Sequence, residues 1–190
     1  MKKNPEEITL VAIGTSAGGV AVLHHILPAF TGKRLAVVVV IHLPPTGPNL
    51  IPSLYAEECG FRLKEAESGE PIVPGTIYIA PPDYHLSVEP QGTLSLSNEE
   101  EFNFSRPSID ILFDSVAFAY KSKAMGLLLT GANNDGAEGL KTIARLGGMT
   151  IVQDPSDAEY PTMPQSALEL NTPDGILSVE EIKQLIRSLT

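Results

Sequence analysis

Three side chains in this sequence could act together on a carbonyl: Ser16, His42 and Asp135. A serine hydroxyl is a poor nucleophile at neutral pH. It needs a histidine to take its proton and a carboxylate to orient that histidine. Ser16 lies in Gly14-Thr15-Ser16-Ala17-Gly18, a match to the G-x-S-x-G turn that presents a serine between a strand and a helix. Unspent N–H groups and the dipole at the start of such a helix favour a developing oxyanion. His42 directly follows the apolar run Leu35 to Ile41, and Asp135 lies in the loop after the run Met125 to Thr130. Each residue also has a plainer use. The glycine turn could hold a phosphate, His42 could be a hydrogen-bonded histidine at a strand end, and Asp135 suits the N-cap of the helix it opens. The triad reading rests on all three falling at strand ends.

The elements that would position them follow from periodicity. Ile8 to Ile13 is a short apolar run, and Val20, Leu23, Leu27 and Phe30 then recur at helical spacing up to about Phe30. Leu35 to Ile41 is apolar throughout and β-branched, as expected of a strand buried on both faces of a parallel sheet. The proline-rich stretch Leu43 to Pro48 breaks regular structure. Thr76 to Ala80 reads as a strand, and His85 to Glu89 with Thr93 to Ser97 as a hairpin around Pro90-Gln91-Gly92. Ile109, Leu112, Phe113, Val116, Ala117 and Tyr120 form one helical stripe that starts after Pro107-Ser108. Met125 to Thr130 and Met149 to Gln153 read as strands, Ala137 to Leu146 and Val179 to Leu189 as helices. Strands alternating with helices imply an α/β fold: a doubly wound, mostly parallel sheet flanked by helices, with an antiparallel β-hairpin. In such sheets ligands bind beyond the carboxyl ends of the strands, where Ser16, His42 and Asp135 fall.

Composition narrows the class. A net charge of −10 and a pI near 4.8 argue against nucleic-acid binding, which needs Lys and Arg to neutralise phosphates. With one cysteine, Cys59, no intrachain disulfide forms. The polar N-terminus and the short apolar runs provide neither a signal region nor a membrane span, so a cytoplasmic chain without membrane insertion is expected. The four histidines and Cys59 show no metal-ligand spacing, and no cofactor or metal is expected. His24 and His25 read as structural or surface groups. His85 has no partner visible in sequence, and Asp154, Asp157 and Glu159 read as a solvated loop.

From about Ile8 to Ile186 the chain resembles the catalytic domain of the chemotaxis receptor methylesterases, the CheB family. The resemblance is carried by Ile13 to Gly19, Ile41-His42-Leu43-Pro44, Gly75 to Pro82 and Arg106-Pro107-Ser108-Ile109-Asp110. It continues through Leu129-Thr130-Gly131, Asn134-Asp135-Gly136-Ala137, Gly147-Gly148, Gln153-Asp154 and Met163-Pro164-Gln165-Ser166-Ala167. It implies a protein-glutamate methylesterase: a serine hydrolase that removes γ-methyl esters from glutamates on cytoplasmic helices of chemoreceptors. It also implies deamidation of certain receptor glutamines and a place in chemotaxis phosphorelay signalling. The implied triad is Ser16, His42 and Asp135, with oxyanion donors among the backbone groups of Ala17, Gly18 and Ala132. A single catalytic domain over residues 1–190 is expected, without the family's phosphorylation-controlled receiver domain, since seven residues precede the first apolar run. The loop before the aspartate departs from the family's Gly-Met-Gly. Gly131-Ala132-Asn133 lacks the methionine side chain, and Asn133 tolerates unusual backbone angles less freely than glycine.

Two rival readings are distinguishable. A patatin-like serine lipase would pair Ser16 with Asp135 but needs a glycine-rich oxyanion loop upstream, and Met1 to Ile13 contain no glycine. A catalytically impaired receptor-binding module of the same fold would keep the scaffold and lose the reaction.

Overall fold

The computed structural model describes residues 3–43, 62–103 and 105–190. The prolines from Pro44 to Pro48 and Cys59 lie outside the described residues. Nine strands and five α-helices follow one another along the described chain: β1 (Leu10–Thr15), α1 (Gly19–Ile26), β2 (Ala36–Ile41), β3 (Arg62–Glu65), β4 (Thr76–Ile79), β5 (His85–Val88), β6 (Leu94–Ser97), α2 (Ile109–Tyr120), β7 (Ala124–Leu128), α3 (Ala137–Arg145), β8 (Met149–Gln153), α4 (Thr162–Leu170), β9 (Gly175–Leu177) and α5 (Val179–Ser188). Seven of the strands form a wholly parallel sheet in the order β3-β4-β2-β1-β7-β8-β9, and β5 and β6 form a separate antiparallel hairpin.

The central strands are buried along their whole length because both sheet faces are covered, and they are almost wholly apolar. Successive side chains alternate faces. Val11, Ile13, Val37, Val39 and Ile41 pack with α1 and α5 on one side. Leu10, Ala12, Ala36, Val38 and Val40 pack with α2, α3, α4 and the hairpin on the other. From β1 the chain winds outward through α1 to β2. From β7 it winds the other way through α3 to β8. The strand order therefore reverses between β1 and β7, the switch point at which open parallel sheets leave a crevice.

Several boundaries differ from the sequence expectation, each for a local reason. The first helix ends at Ile26, and Leu27–Phe30 continue as a tighter turn because Pro28 has no N–H to give to an α-helical bond. The strand β3 is charged and exposed, and β9 is three residues long, so neither has an apolar signature. Pro164 lies within the first turn of α4, where its missing N–H breaks no helical bond. The helix α5 begins with a reciprocal capping box between Ser178 and Glu181. Asp157 and Glu159 are exposed in the loop after β8, as expected; Asp157 also accepts the Val179 amide and a Gln153 side-chain N–H, which ties β8 to α5.

Candidate active site

Three neighbouring strands end side by side, and their backbones fix the spacing of the candidate residues. Thr15 is level with Ile41, and Gly14 with Leu128. Just past the strands, the His42 amide donates to Thr15 O at 3.2 Å and the Ser16 amide to Thr130 O at 3.0 Å. Ser16 thus stands between the end of β2, which carries His42, and the loop after β7, which carries Asp135. The structure brings all three predicted residues to one edge of the sheet.

Asp135 is completely buried and accepts four hydrogen bonds. His42 Nε2 lies 2.9 Å from Oδ2, which also takes the Ile109 amide at 2.6 Å. The Ser108 hydroxyl donates to Oδ1 at 2.9 Å, and the Asp110 amide at 3.0 Å. The carboxylate therefore caps α2, not the helix it precedes. The N-cap of α3 is Gly136, which corrects the simple N-cap reading of Asp135. Burial by itself pushes the Asp135 carboxyl up. The hydrogen bonds from His42, Ile109 and Asp110, together with the charge of His42, more than reverse this and hold it below the usual 3.8.

Asp110 returns the favour. Its Oδ1 accepts the Gly139 amide, in the first turn of α3, at 2.7 Å, and its Oδ2 accepts from Asn103 at 3.2 Å. Two helix N-termini are thus cross-capped by each other's carboxylates, where the helix dipoles favour negative charge. The two groups are displaced in opposite directions. Burial pushes Asp110 up to about 6, against the Gly139 hydrogen bond and assisted by the nearby charges of Asp135 and Asp114. The close approach of the helices depends on two glycines around Ile109. A Cβ on Gly14 would come within 2.2 Å of Ile109 Cγ2, and one on Gly136, whose φ is +94°, within 2.6 Å.

His85, which showed no partner in sequence, supports this arrangement from behind. Its Nδ1 accepts the Ser108 amide at 3.1 Å and its Nε2 donates to Glu100 O at 3.1 Å. Ser108, His85 and Asp110 are neighbours of the candidate site that side-chain type alone did not reveal. The only sequence signal was Ser108 and Asp110 in the Arg106 to Asp110 motif.

Ser16 and His42 open onto a polar cavity of about 300 Å³ whose wall includes Asn133, Asp83, Glu101 and Arg106. Arg106 is held by Asp83 through Nε and Nη2, and its Nη1 donates to the Glu99 carbonyl at 2.8 Å. On the other side of Ser16 a largely apolar groove runs past Ala17, Gly18, Val20 and Leu43. Among the described residues, neither the Ser16 hydroxyl nor the amides of Ala17 and Gly18 form a hydrogen bond. Ala132 is exposed and Asn133 half-buried. Asn133 does not use its tolerance of unusual angles: among the described residues, the non-glycine residues with positive φ are Asp83, Asn103 and Lys121. His24 and His25 are exposed on α1, as expected. Among the described residues no three His, Cys, Asp or Glu side chains gather to hold a metal ion, and no helix is long and apolar enough to cross a membrane.

The profile of the CheB methylesterase family matches residues 11–186. The chain belongs to the CheB methylesterase family. A relative from Leptospira interrogans is 44% identical over 92% of this chain and 91% of its own length; its naming as a protein-glutamate methylesterase/protein-glutamine glutaminase is provisional. Relatives carrying that name without qualification include those of Symbiobacterium thermophilum, 34% identical, and Salmonella typhimurium, 33% identical. The aligned regions cover 93% and 92% of this chain but 49% and 51% of those proteins, about half their length. The crystal structure of the Thermotoga maritima CheB methylesterase catalytic domain superposes with a TM-score of 0.88 at 33% identity, covering 94% of this chain and 97% of that one. Family membership also removes the patatin-like reading.

Proposed function

We propose that this CheB-family protein is a serine esterase that hydrolyses γ-methyl esters of glutamate side chains on cytoplasmic chemoreceptor helices, with Ser16, His42 and Asp135 as its triad. The observation that carries the reading is the buried Asp135–His42 pair at the strand end registered beside Ser16, at the switch point of the sheet. Asp135 is held ionised, so it accepts the Nε2 proton of His42 and leaves Nδ1 as the basic nitrogen. His42 Nδ1 takes the Ser16 proton as Oγ attacks the ester carbonyl, and Asp135 stabilises the resulting imidazolium. The amides of Ala17 and Gly18, and that of Ala132, are the proposed oxyanion donors. Collapse of the tetrahedral intermediate breaks the bond to the methoxy oxygen, and His42 returns the proton to give methanol. Water then cleaves the glutamyl ester of Ser16 by the same steps in reverse. Attack on a glutamine carboxamide releases ammonia in place of methanol and needs no further group.

The apolar groove beside Ser16 suits the buried stripe of a substrate helix, and the polar cavity suits the carboxyl head. The test has two parts. A fluorophosphonate probe should label the wild-type protein at Ser16, and His42→Ala should slow labelling by about 10³-fold or more. Methylated receptor fragments should release methanol with the same dependence. Absence of labelling in the wild type overturns the esterase reading and leaves a catalytically impaired binding module. Labelling without methanol release overturns only the choice of substrate.

A further inference from the structure

We infer that Asn133 latches the general base in the resting enzyme: its carboxamide occupies the ring nitrogen of His42 that must accept the Ser16 proton. The inference rests on the assignment of Ser16 and His42 as nucleophile and base.

Three hydrogen bonds fix the arrangement. The Asp135 amide, which can only donate, lies 3.2 Å from Asn133 Oδ1. This sets the orientation of the carboxamide and turns its NH₂ towards His42, where Nδ2 lies 3.3 Å from Nδ1. An NH₂ group has no lone pair to offer, so Nδ1 must be the acceptor. On the opposite side of the ring, Asp135 Oδ2 at 2.9 Å can only accept, so Nε2 carries the proton. Both ring nitrogens are therefore engaged, and the basic one is engaged by Asn133. The Ser16 hydroxyl, on the same cavity wall, has no hydrogen bond among the described residues.

The contact selects the right tautomer while blocking its use. Proton transfer from Ser16 needs the Nδ1 lone pair, so the Asn133 donor must leave before attack. The carboxamide can do so by rotating within the cavity, without moving the backbone that holds Asp135. Asn133 is thus a positioning residue that sets the reactivity of the base; it forms no bond to substrate.

The test replaces the donor and keeps the turn. Asn133→Ser retains a side-chain oxygen able to accept the Asp135 amide but removes the NH₂. Labelling of Ser16 by a fluorophosphonate should become about three- to tenfold faster, the factor carried by one neutral hydrogen bond. The ¹⁵N resonance of His42 Nδ1 should move towards that of an unengaged lone pair. Asn133→Asp keeps the shape but faces Nδ1 with a carboxylate, which favours a proton there, so labelling should fall below wild type. Should Asn133→Ser not fold by circular dichroism, Asn133→Gly serves as the second variant. Labelling of the serine variant at or below the wild-type rate overturns the latch. If neither the wild type nor any variant labels, the esterase reading fails, and the resonance decides alone: an unchanged Nδ1 signal overturns the contact, and a shifted one sustains it.

Discussion

The two strand-to-helix turns at the switch point use their polar groups in opposite ways. After β1, the Ser16 hydroxyl and the amides of Ala17 and Gly18 make no hydrogen bonds among the described residues. After β7, Asp135 is fully buried and every lone pair it directs inward is used: by His42, Ser108, Ile109 and Asp110. One turn keeps its chemistry available and the other spends it on position. A nucleophile must be free to meet substrate, whereas a group that orients a base must not move. On the proposed triad, the same contrast separates what each turn contributes to reaction from what it contributes to stability.

Substitution at the two turns should therefore break activity together and stability separately. Ser16→Ala should abolish probe labelling and lower ester hydrolysis by about 10⁴-fold or more. Its unfolding free energy should stay within about 0.5 kcal/mol of wild type, because the hydroxyl has no partner among the described residues. Asp135→Asn should lower hydrolysis by about 10³- to 10⁴-fold. It should also destabilise the fold by about 2–3 kcal/mol in urea unfolding, since an NH₂ would face buried donors. Equal stability of the two variants would remove the distinction.

Ser108→Ala probes the support behind Asp135 at a smaller scale. It removes both the hydroxyl that donates to Asp135 and the side-chain cap that accepts the Ile111 amide at 3.4 Å. A loss of about 1 kcal/mol in stability is expected, with hydrolysis reduced by about tenfold through a less rigid Asp135. A variant as active as wild type would show that the backbone amides alone position the carboxylate.

The smallest effect concerns the cross-capped carboxylates, whose pH signs are opposed. Asp135, held below 3.8, contributes stability that is present above that value and lost as pH falls through its lowered value. Asp110, raised from 3.8 to about 6, binds its proton more tightly when folded. Its contribution favours the folded state at acid pH and weakens as pH rises from about 4 to about 6. Asp110→Asn should flatten that part of the stability profile, measured by urea unfolding between pH 4 and 8. An unchanged profile would show that Asp110 is not the group responsible.

How far the sequence reached depended on how local each signal was. β1, β2 and β7 were legible because a strand covered on both faces must be apolar throughout, whatever its neighbours. The helix α2 was legible from its stripe and from Ser108 as its cap. The strands β3 and β9 were not, since an edge strand takes its place from the ladder of its neighbour and not from its own residues. In α4 the proline at Pro164 obscured a helix that tolerates it only because of its position in the first turn. At the candidate site, Ser16, His42 and Asp135 could be named from strand ends. The other partners of Asp135 could not: Ile109 and Asp110 donate backbone amides, which side-chain type does not reveal, and the Ser108 hydroxyl reads equally as the cap of α2.

The sequence by itself determined the alternation of apolar runs and helical stripes, and hence a parallel α/β sheet with chemistry at its carboxyl edge. Periodicity and turn residues act over a few positions, so they are present in the chain before it folds. Only the tertiary structure decided that Asp135 caps α2 and not its own helix, that His85 supports Ser108, and that Asn133 faces Nδ1 of His42. Those assignments depend on which donor meets which acceptor when distant segments pack, and only packing fixes those distances.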